Sequence, residues 1–167
     1  MMHDVALALV HQYVALLKEH FGDQLVGVAL FGSVARGEAK FPGSDIDLLL
    51  ILQGVEGLSF GKRINLLMAE EKKLEGTSEY RAFLHEFRWP PSIQEHVLTP
   101  AELARHPPLL LDLTTDAIIL HDTGIVSREL GRLQKRLEEL GAKKIRTGST
   151  WFWILKPDLK LGEVVEL

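Results

Sequence analysis

Two apolar stretches separated by a short polar segment constrain the fold of this chain most strongly. Residues 25–31 (LVGVALF) and 44–52 (SDIDLLLIL) are rich in aliphatic and β-branched side chains, a composition typical of buried strands. The first stretch runs directly into Gly32-Ser33, and the turn residues 41–44 (FPGS) lead into the second. The sequence therefore predicts two buried strands joined by a glycine turn and a short loop.

The rest of the chain alternates helical and extended patterns. Apolar residues three or four apart predict helices over residues 5–21 and 125–140, and residues 58–88 also look mostly helical. Residues 93–98 are typical of a third strand, and residues 151–155 are strand-like. This order of elements predicts an α+β (mixed α/β) domain. We expect a small mixed sheet packed with helices, followed by an extra C-terminal helix and short strands.

Length and composition favour one globular domain and exclude several kinds of chemistry. A chain of 167 residues with 46% hydrophobic and 25% charged residues is ordinary for a single domain. We therefore expect one domain over residues 1–167, with a core at about 5–105 and a C-terminal extension at about 106–167. Because the chain has no cysteine, disulfides, thiolate zinc sites and cysteine nucleophiles are excluded.

Charge and hydropathy limit the partners that we expect. The formal net charge of −4 argues against a general electrostatic contact with nucleic acid, although a local basic patch such as residues 143–146 leaves this open. The longest uninterrupted apolar run, residues 48–52, is far too short to span a bilayer, so we expect no membrane association. The first residues have no basic leader and no cleavage pattern of a signal peptide, and we expect a cytoplasmic location.

Two acidic residues stand at the start of the second predicted strand. Asp45 and Asp47 are separated by one residue, so alternation of side chains places both carboxylates on one face, with Ile46 directed to the core. Two carboxylates at this spacing repel each other unless a cation lies between them. Mg²⁺ prefers hard oxygen ligands and is commonly shared between carboxylates and substrate phosphates. The pair therefore predicts a site for Mg²⁺, with one or two ions.

The glycine turn before this pair predicts a phosphate site. Glycine allows close approach of a ligand to the backbone, and Ser33 is a good N-cap for a short helix with free N–H groups. Arg36 follows one helical turn later and offers a forked donor to a phosphate. No Gly-Lys-Ser/Thr follows Gly32, so the segment is not a Walker loop.

These residues resemble a known superfamily. The segments GSVARGEA and SDIDLLL are similar to those of the nucleotidyltransferase superfamily that includes DNA polymerase beta and the aminoglycoside nucleotidyltransferases. The resemblance is greatest to the stand-alone minimal nucleotidyltransferases of bacteria and archaea. Their pattern is Gly-Ser, about ten residues, and Asp-x-Asp or Asp-x-Glu. Here eleven residues separate Gly32-Ser33 from Asp45-Ile46-Asp47. The resemblance implies the nucleotidyltransferase fold.

The resemblance also implies a reaction and roles for particular residues. It implies Mg²⁺-dependent transfer of a nucleoside monophosphate, AMP from ATP or the equivalent from another NTP, to an acceptor hydroxyl, with release of pyrophosphate. Asp45 and Asp47 would be catalytic metal ligands. The nucleotide-binding residues would be Gly32, Ser33, Arg36 and Ser44.

The family usually supplies a third carboxylate from a later strand, as metal ligand and base for the incoming hydroxyl. Glu95 is the acid in the third predicted strand, so it is the candidate for this catalytic and metal-binding role. Alternation groups Glu95 with Ile93 and Val97, and Gln94 with His96. If the active face carries the second group, Glu95 points away from the metals and the site has two carboxylates.

Two other functions remain open at this point. The first is an antitoxin-type role, in which the chain binds or adenylylates a helical protein partner. The second is a degenerate module that binds nucleotide without turnover. A homodimer is also compatible, because symmetric dimers are the commonest assembly of small proteins. We expect the aromatic residues 151–153 to pack in a core or interface rather than stack on a base, and the basic residues 143–146 to form a surface patch at a helix exit.

Overall fold

The computed structural model describes residues 2–148 and 150–167. Its main feature is a four-stranded mixed sheet, accompanied by a separate two-stranded hairpin. The apolar stretches that the sequence analysis identified form its two central strands. The strands are β1 (Leu25–Phe31), β2 (Ile46–Leu52), β3 (Ile93–Leu98), β4 (Ile118–Asp122), β5 (Lys143–Thr147) and β6 (Thr150–Ile154).

The strand order of the main sheet is β3-β2-β1-β4. β1 pairs antiparallel with both β2 and β4, whereas β2 and β3 are parallel. In this register Asp47 lies opposite Phe31 on one side and Gln94 on the other. Leu48, one position later in β2, pairs with Glu95. Residues that pair across neighbouring strands share a face, so the register already separates Asp47 from Glu95.

Helices cover both faces of this sheet and bury its apolar side chains in two cores. The first core lies between the sheet and the long N-terminal helix, and includes Leu48 and Leu50. The second lies between the opposite face and the C-terminal helices, and includes Phe31 and Leu49. The helices are α1 (Met2–Phe21), α2 (Gly32–Ala35), α3 (Phe60–Asn65), α4 (Met68–Glu75), α5 (Ser78–Phe87), α6 (Pro100–Leu103), α7 (Leu109–Asp116) and α8 (Ile125–Leu140).

This architecture confirms the predicted fold class, a mixed α+β domain with a small helix-packed sheet. The apolar stripe of α8 packs in the second core, as its periodicity indicated. The sheet does not end near residue 105, because β4, from the region expected to be an extension, pairs with β1.

The basic segment 143–146 directly follows α8, and Lys143 and Arg146 are exposed. Its residues also belong to β5, which pairs antiparallel with β6, a pairing that the sequence analysis did not predict. The segment is therefore half of a hairpin. Within residues 2–148 and 150–167, no helix combines the length and apolar character needed to cross a membrane.

Candidate active site

The two acidic residues of the Asp-Ile-Asp segment line one cleft. Asp47 is the second residue of β2, and Asp45 immediately precedes that strand. Both carboxylates face a cleft of about 540 Å³, which Gly32 and Ser33 of α2 also line. Within the described part of the chain, neither carboxylate has a side-chain hydrogen bond or an ion pair. The two acids are thus held on one side of the sheet by strand alternation and are free to bind a ligand.

Burial and mutual repulsion both act on this pair. Asp47 is partly buried at the bottom of the cleft, whereas Asp45 is exposed at its rim. Burial, and then the negative charge of Asp45, raise the pKa of the Asp47 carboxyl above its usual value. The positive character of His96 and Arg36 opposes this shift. The site therefore stores an unfavourable interaction that a bound cation would relieve.

Contacts within the protein explain why position 32 is a glycine. Its φ of +73° is in the left-handed region, which costs a residue with a Cβ about 1–2 kcal/mol. A Cβ at this position would also overlap the Oδ2 atom of Asp47. The sequence analysis interpreted this glycine as room for a ligand. In the structure, the missing side chain makes room first for the Asp47 carboxylate, which therefore lies against the glycine turn.

Ser33 lies in the cleft, but it is not the helix N-cap that the sequence predicted. Helix α2 begins at Gly32, so its N-cap is Phe31, and no side chain in the described part of the chain caps it. Ser33 is the second residue of the helix, and its hydroxyl is not used as a cap. The reason is that the chain turns one residue earlier, at the glycine with positive φ.

Ser44 and Arg36 also line the cleft, but each already has contacts within the protein. The Ser44 hydroxyl accepts a hydrogen bond of 2.8 Å from the backbone N–H of Lys40, which shapes the loop before β2. The Arg36 guanidinium donates to Glu38 at 2.8 Å and to Asp116 at 3.3 Å. A phosphate in the cleft would therefore meet a guanidinium that two carboxylates hold in place.

The far wall of the cleft comes from residues that the sequence analysis did not assign to the site. Lys144 of β5, Trp151 of β6 and Asp112 of α7 complete the lining. The sequence does contain a pattern for this hairpin. Lys144 and Arg146 are two residues apart before Gly148, and Trp151 and Trp153 are two residues apart after it. That pattern predicts a hairpin, but it does not say what the hairpin covers.

Glu95 does not join Asp45 and Asp47. Its side chain is buried on the opposite face of the sheet, where it accepts a 2.8 Å hydrogen bond from the Tyr13 hydroxyl of α1. Alternation along β3 brings Gln94 and His96 to the face that carries Asp47. Among the described residues, no three acidic or histidine side chains are grouped so that they could hold a metal ion. Among the described residues no third carboxylate is therefore grouped with Asp45 and Asp47, which was one of the two outcomes considered from the sequence.

Replacing Glu95 by glutamine should leave catalysis intact and change the pH dependence of stability. Burial raises the pKa of Glu95 to about 7, although the hydrogen bond from Tyr13 opposes the shift. Because the folded protein holds this proton more tightly than the unfolded chain, ionisation of Glu95 destabilises the fold as pH rises from 4.5 to about 7. Glu95→Gln should remove that penalty, which is roughly 3 kcal/mol at most.

The measurement is the melting temperature of both proteins between pH 5 and pH 8. We expect the stability advantage of Glu95→Gln over the wild type to grow with pH and to level off above about 7. A variant that melts normally but has lost catalysis would place Glu95 in the reaction after all.

Comparison with known families identifies the class of protein. The profile of the nucleotidyltransferase domain family matches residues 11–109, which include the glycine turn, both aspartates and β3. The chain therefore belongs to this family of enzymes, which transfer nucleotidyl groups. The match ends before most of α7, so β4, α8 and the hairpin lie outside it. No curated protein sequence gives a significant match.

Comparison with solved structures gives several loose likenesses. A candidate nucleotidyltransferase from Sulfolobus solfataricus is 20% identical, with 71% of this chain and 81% of that chain covered and a TM-score of 0.46. A toxin–antitoxin complex with AMP-PNP is 14% identical, with 78% and 92% covered and a TM-score of 0.45.

The tri-AMPylated HEPN toxin of Shewanella oneidensis in complex with its MNT antitoxin gives 15% identity, 80% and 92% coverage and a TM-score of 0.43. These scores describe a loose likeness, and the family assignment depends on the sequence match over residues 11–109.

Proposed function

We propose that the protein transfers AMP from ATP to an acceptor hydroxyl, with Mg²⁺ as cofactor and pyrophosphate as the second product. The observation that carries this proposal is that Asp45 and Asp47 lie in the same cleft as the glycine turn and have no basic side-chain partner among residues 2–148 and 150–167. An NTP other than ATP would fit the same arrangement. A donor nucleotide of this kind also fits the cytoplasmic location expected from the sequence.

The two carboxylates fit a magnesium ion whose remaining ligands come from water and the substrate. Asp45 and Asp47 offer hard oxygen ligands, and Mg²⁺ is usually bound by one or two carboxylates together with water and substrate phosphates. The raised pKa of Asp47 supports this fit, since a cation between the acids would remove their repulsion. The chemistry that one or two bound ions supply is polarisation of the reacting phosphate and neutralisation of the leaving pyrophosphate.

The other residues of the cleft bind and orient the donor. We assign the terminal phosphates to Gly32 and Ser33, with Arg36 as a charged donor beside them and the Ser44 hydroxyl at the rim. In the reaction the acceptor oxygen bonds to the α-phosphorus, and the bond from that phosphorus to the pyrophosphate oxygen breaks. The proton of the acceptor hydroxyl passes to water. Glu95 takes no part in our assignment, because the sheet separates it from the cleft. His96 lies on the same face as Asp47.

The test is pyrophosphate release from ATP by the purified protein, with α-labelled ATP to follow the adenylate. We expect release that requires Mg²⁺ and candidate acceptors, and that stops when a chelator removes the metal. Labelled ATP that binds without any release would favour the degenerate binding module instead. Activity that persists in the chelator would contradict the metal assignment.

An antitoxin-type role is the second candidate, with a helical protein partner as acceptor or as binding target. The observation that favours it is an apolar surface at the hairpin, where Phe152 is 45% exposed and Trp151 is 37% exposed. A partner seated there would lie beside the cleft that Trp151 lines. Pull-down from the native host, followed by mass spectrometry for an added adenylate, tests this role. Sedimentation of the purified protein tests the homodimer. Neither the partner-binding role nor the homodimer requires nucleic acid.

A further inference from the structure

Two cationic side chains from distant parts of the chain meet in the cleft. Arg36, after α2, and Lys144, in β5, both contact the same Oδ2 atom of Asp116, at 3.3 Å and 2.9 Å. Their nitrogens can therefore be no farther apart than the two distances together. Both side chains line the cleft that contains Asp45 and Asp47. The hairpin thus places a second positive charge beside the arginine of the family-matched segment.

Lys144 is held more firmly than a surface lysine. Its side chain is only 13% exposed. Its ammonium also donates to Thr115 at 3.0 Å and lies 3.3 Å from Asp112, and it is 5.3 Å from the centre of the Trp151 ring. Burial would raise the pKa of Asp116, but hydrogen bonds from Lys144 and Thr115 hold that pKa below its usual value. The carboxylate therefore stays charged and contacts both cations.

We infer that the C-terminal hairpin is part of the nucleotide site and that Lys144, beside Arg36, binds the phosphate oxygens of the nucleoside triphosphate. This inference rests on the proposed function, which supplies the triphosphate. The donor carries several negative charges, and Asp45 and Asp47 would repel them without cations on the opposite wall. Asp116 contacts both cations but is not itself part of the proposed phosphate site. The family match ends at residue 109, so the hairpin gives this chain a phosphate ligand outside the matched domain.

Calorimetry with Lys144→Met and Lys143→Met tests the inference. Lys143 is the matched control, because it lies on the same strand, is exposed and alternates to the other face of the hairpin. The probes are ATP with Mg²⁺ and inorganic tripolyphosphate with Mg²⁺. We expect Lys144→Met to weaken binding of both probes by about tenfold to a hundredfold, the loss for one charge-assisted hydrogen bond. Lys143→Met should stay within about twofold of the wild type for both.

A third variant separates phosphate binding from a purely structural role of the lysine. Asp116→Asn removes the carboxylate that contacts both cations. Lys144 keeps its contacts with Asp112 and Thr115 of α7. If Lys144 binds phosphate, Asp116→Asn should keep ATP affinity within about threefold of the wild type. If the ion pair only fastens the hairpin, Asp116→Asn will lose as much affinity as Lys144→Met, and the inference is overturned.

The remaining outcomes are also decisive. A loss of ATP binding with unchanged tripolyphosphate binding would mean that the hairpin acts on the nucleoside, which overturns the assignment of Lys144 to the phosphates. Wild-type affinity in Lys144→Met would overturn the inference and leave the proposed function standing. A wild-type protein that binds neither probe in the presence of Mg²⁺ would overturn both.

Discussion

Replacing Asp45 and Asp47 together by asparagine should reduce pyrophosphate release about a thousandfold or more without destabilising the fold. The expected loss follows from removing both carboxylate ligands of a metal that contributes several kcal/mol to transition-state stabilisation. The fold should not suffer, because these carboxylates make no side-chain hydrogen bond or ion pair within the described residues and repel each other. The measurements are the release rate and the melting temperature without metal.

Magnesium titration makes this test specific to a metal role. Mg²⁺ with ATP should raise the melting temperature of the wild type, since a ligand that binds only the folded state stabilises it. The double variant should show a much smaller rise. The matched control is Asp23→Asn with Asp158→Asn, which changes the net charge equally at two exposed positions. A double variant at positions 45 and 47 with wild-type activity would refute the proposed mechanism.

The positions of the two aspartates could be predicted because they depend on local rules. The strand β2 is apolar throughout and the acids lie two residues apart, so alternation alone brings them to one face. The capping box of α6 is equally local, since Thr99 and Glu102, three residues apart, make both of its hydrogen bonds. Such features need only a few neighbouring residues, which a single sequence provides.

The position of Glu95 could not be decided in the same way. Alternation divided β3 into two sets of side chains, but it did not say which set faces the cleft. That choice depends on α1, which packs on the face of Leu48 and supplies the Tyr13 hydroxyl to Glu95. The contact joins residues 82 positions apart, and no local pattern encodes it. The buried acid is better explained by this packing than by catalysis.

The role of the hairpin in lining the cleft could not be predicted for a related reason. Residues 143–146 are basic, and basic residues after a helix usually form a solvated surface. Here the alternate side chains Lys144 and Arg146 share one face with Trp151, while Asp112 and Asp116 of α7 provide the opposite charge. The strand is stabilised by an acidic helix face that forms only when the chain has folded. The far wall of the cleft, with Lys144 and Trp151, therefore depends on tertiary contacts. The positions of Asp45 and Asp47 depend on local strand alternation.

Substituting alanine for Gly32 should abolish transfer and should do so by displacing a carboxylate rather than by unfolding the protein. The alanine Cβ would overlap the Oδ2 atom of Asp47, so the carboxylate or the turn must move. A displacement of about 1 Å in a catalytic group can cost about a hundredfold in rate, and we expect at least that loss. The left-handed backbone at φ +73° adds a stability cost of about 1–2 kcal/mol.

Gly37→Ala separates the two effects. Gly37 has nearly the same conformation, with φ +69°, but a Cβ there would meet no heavy atom of the other described residues within 4 Å, apart from its chain neighbours. Both variants should therefore lose similar stability from backbone strain, while only Gly32→Ala should lose transfer activity and magnesium-dependent stabilisation. The comparison requires melting temperatures and pyrophosphate release for both proteins. Equal activity in the two variants would show that the contact between Gly32 and Asp47 does not govern the reaction, and that the glycine serves the turn alone.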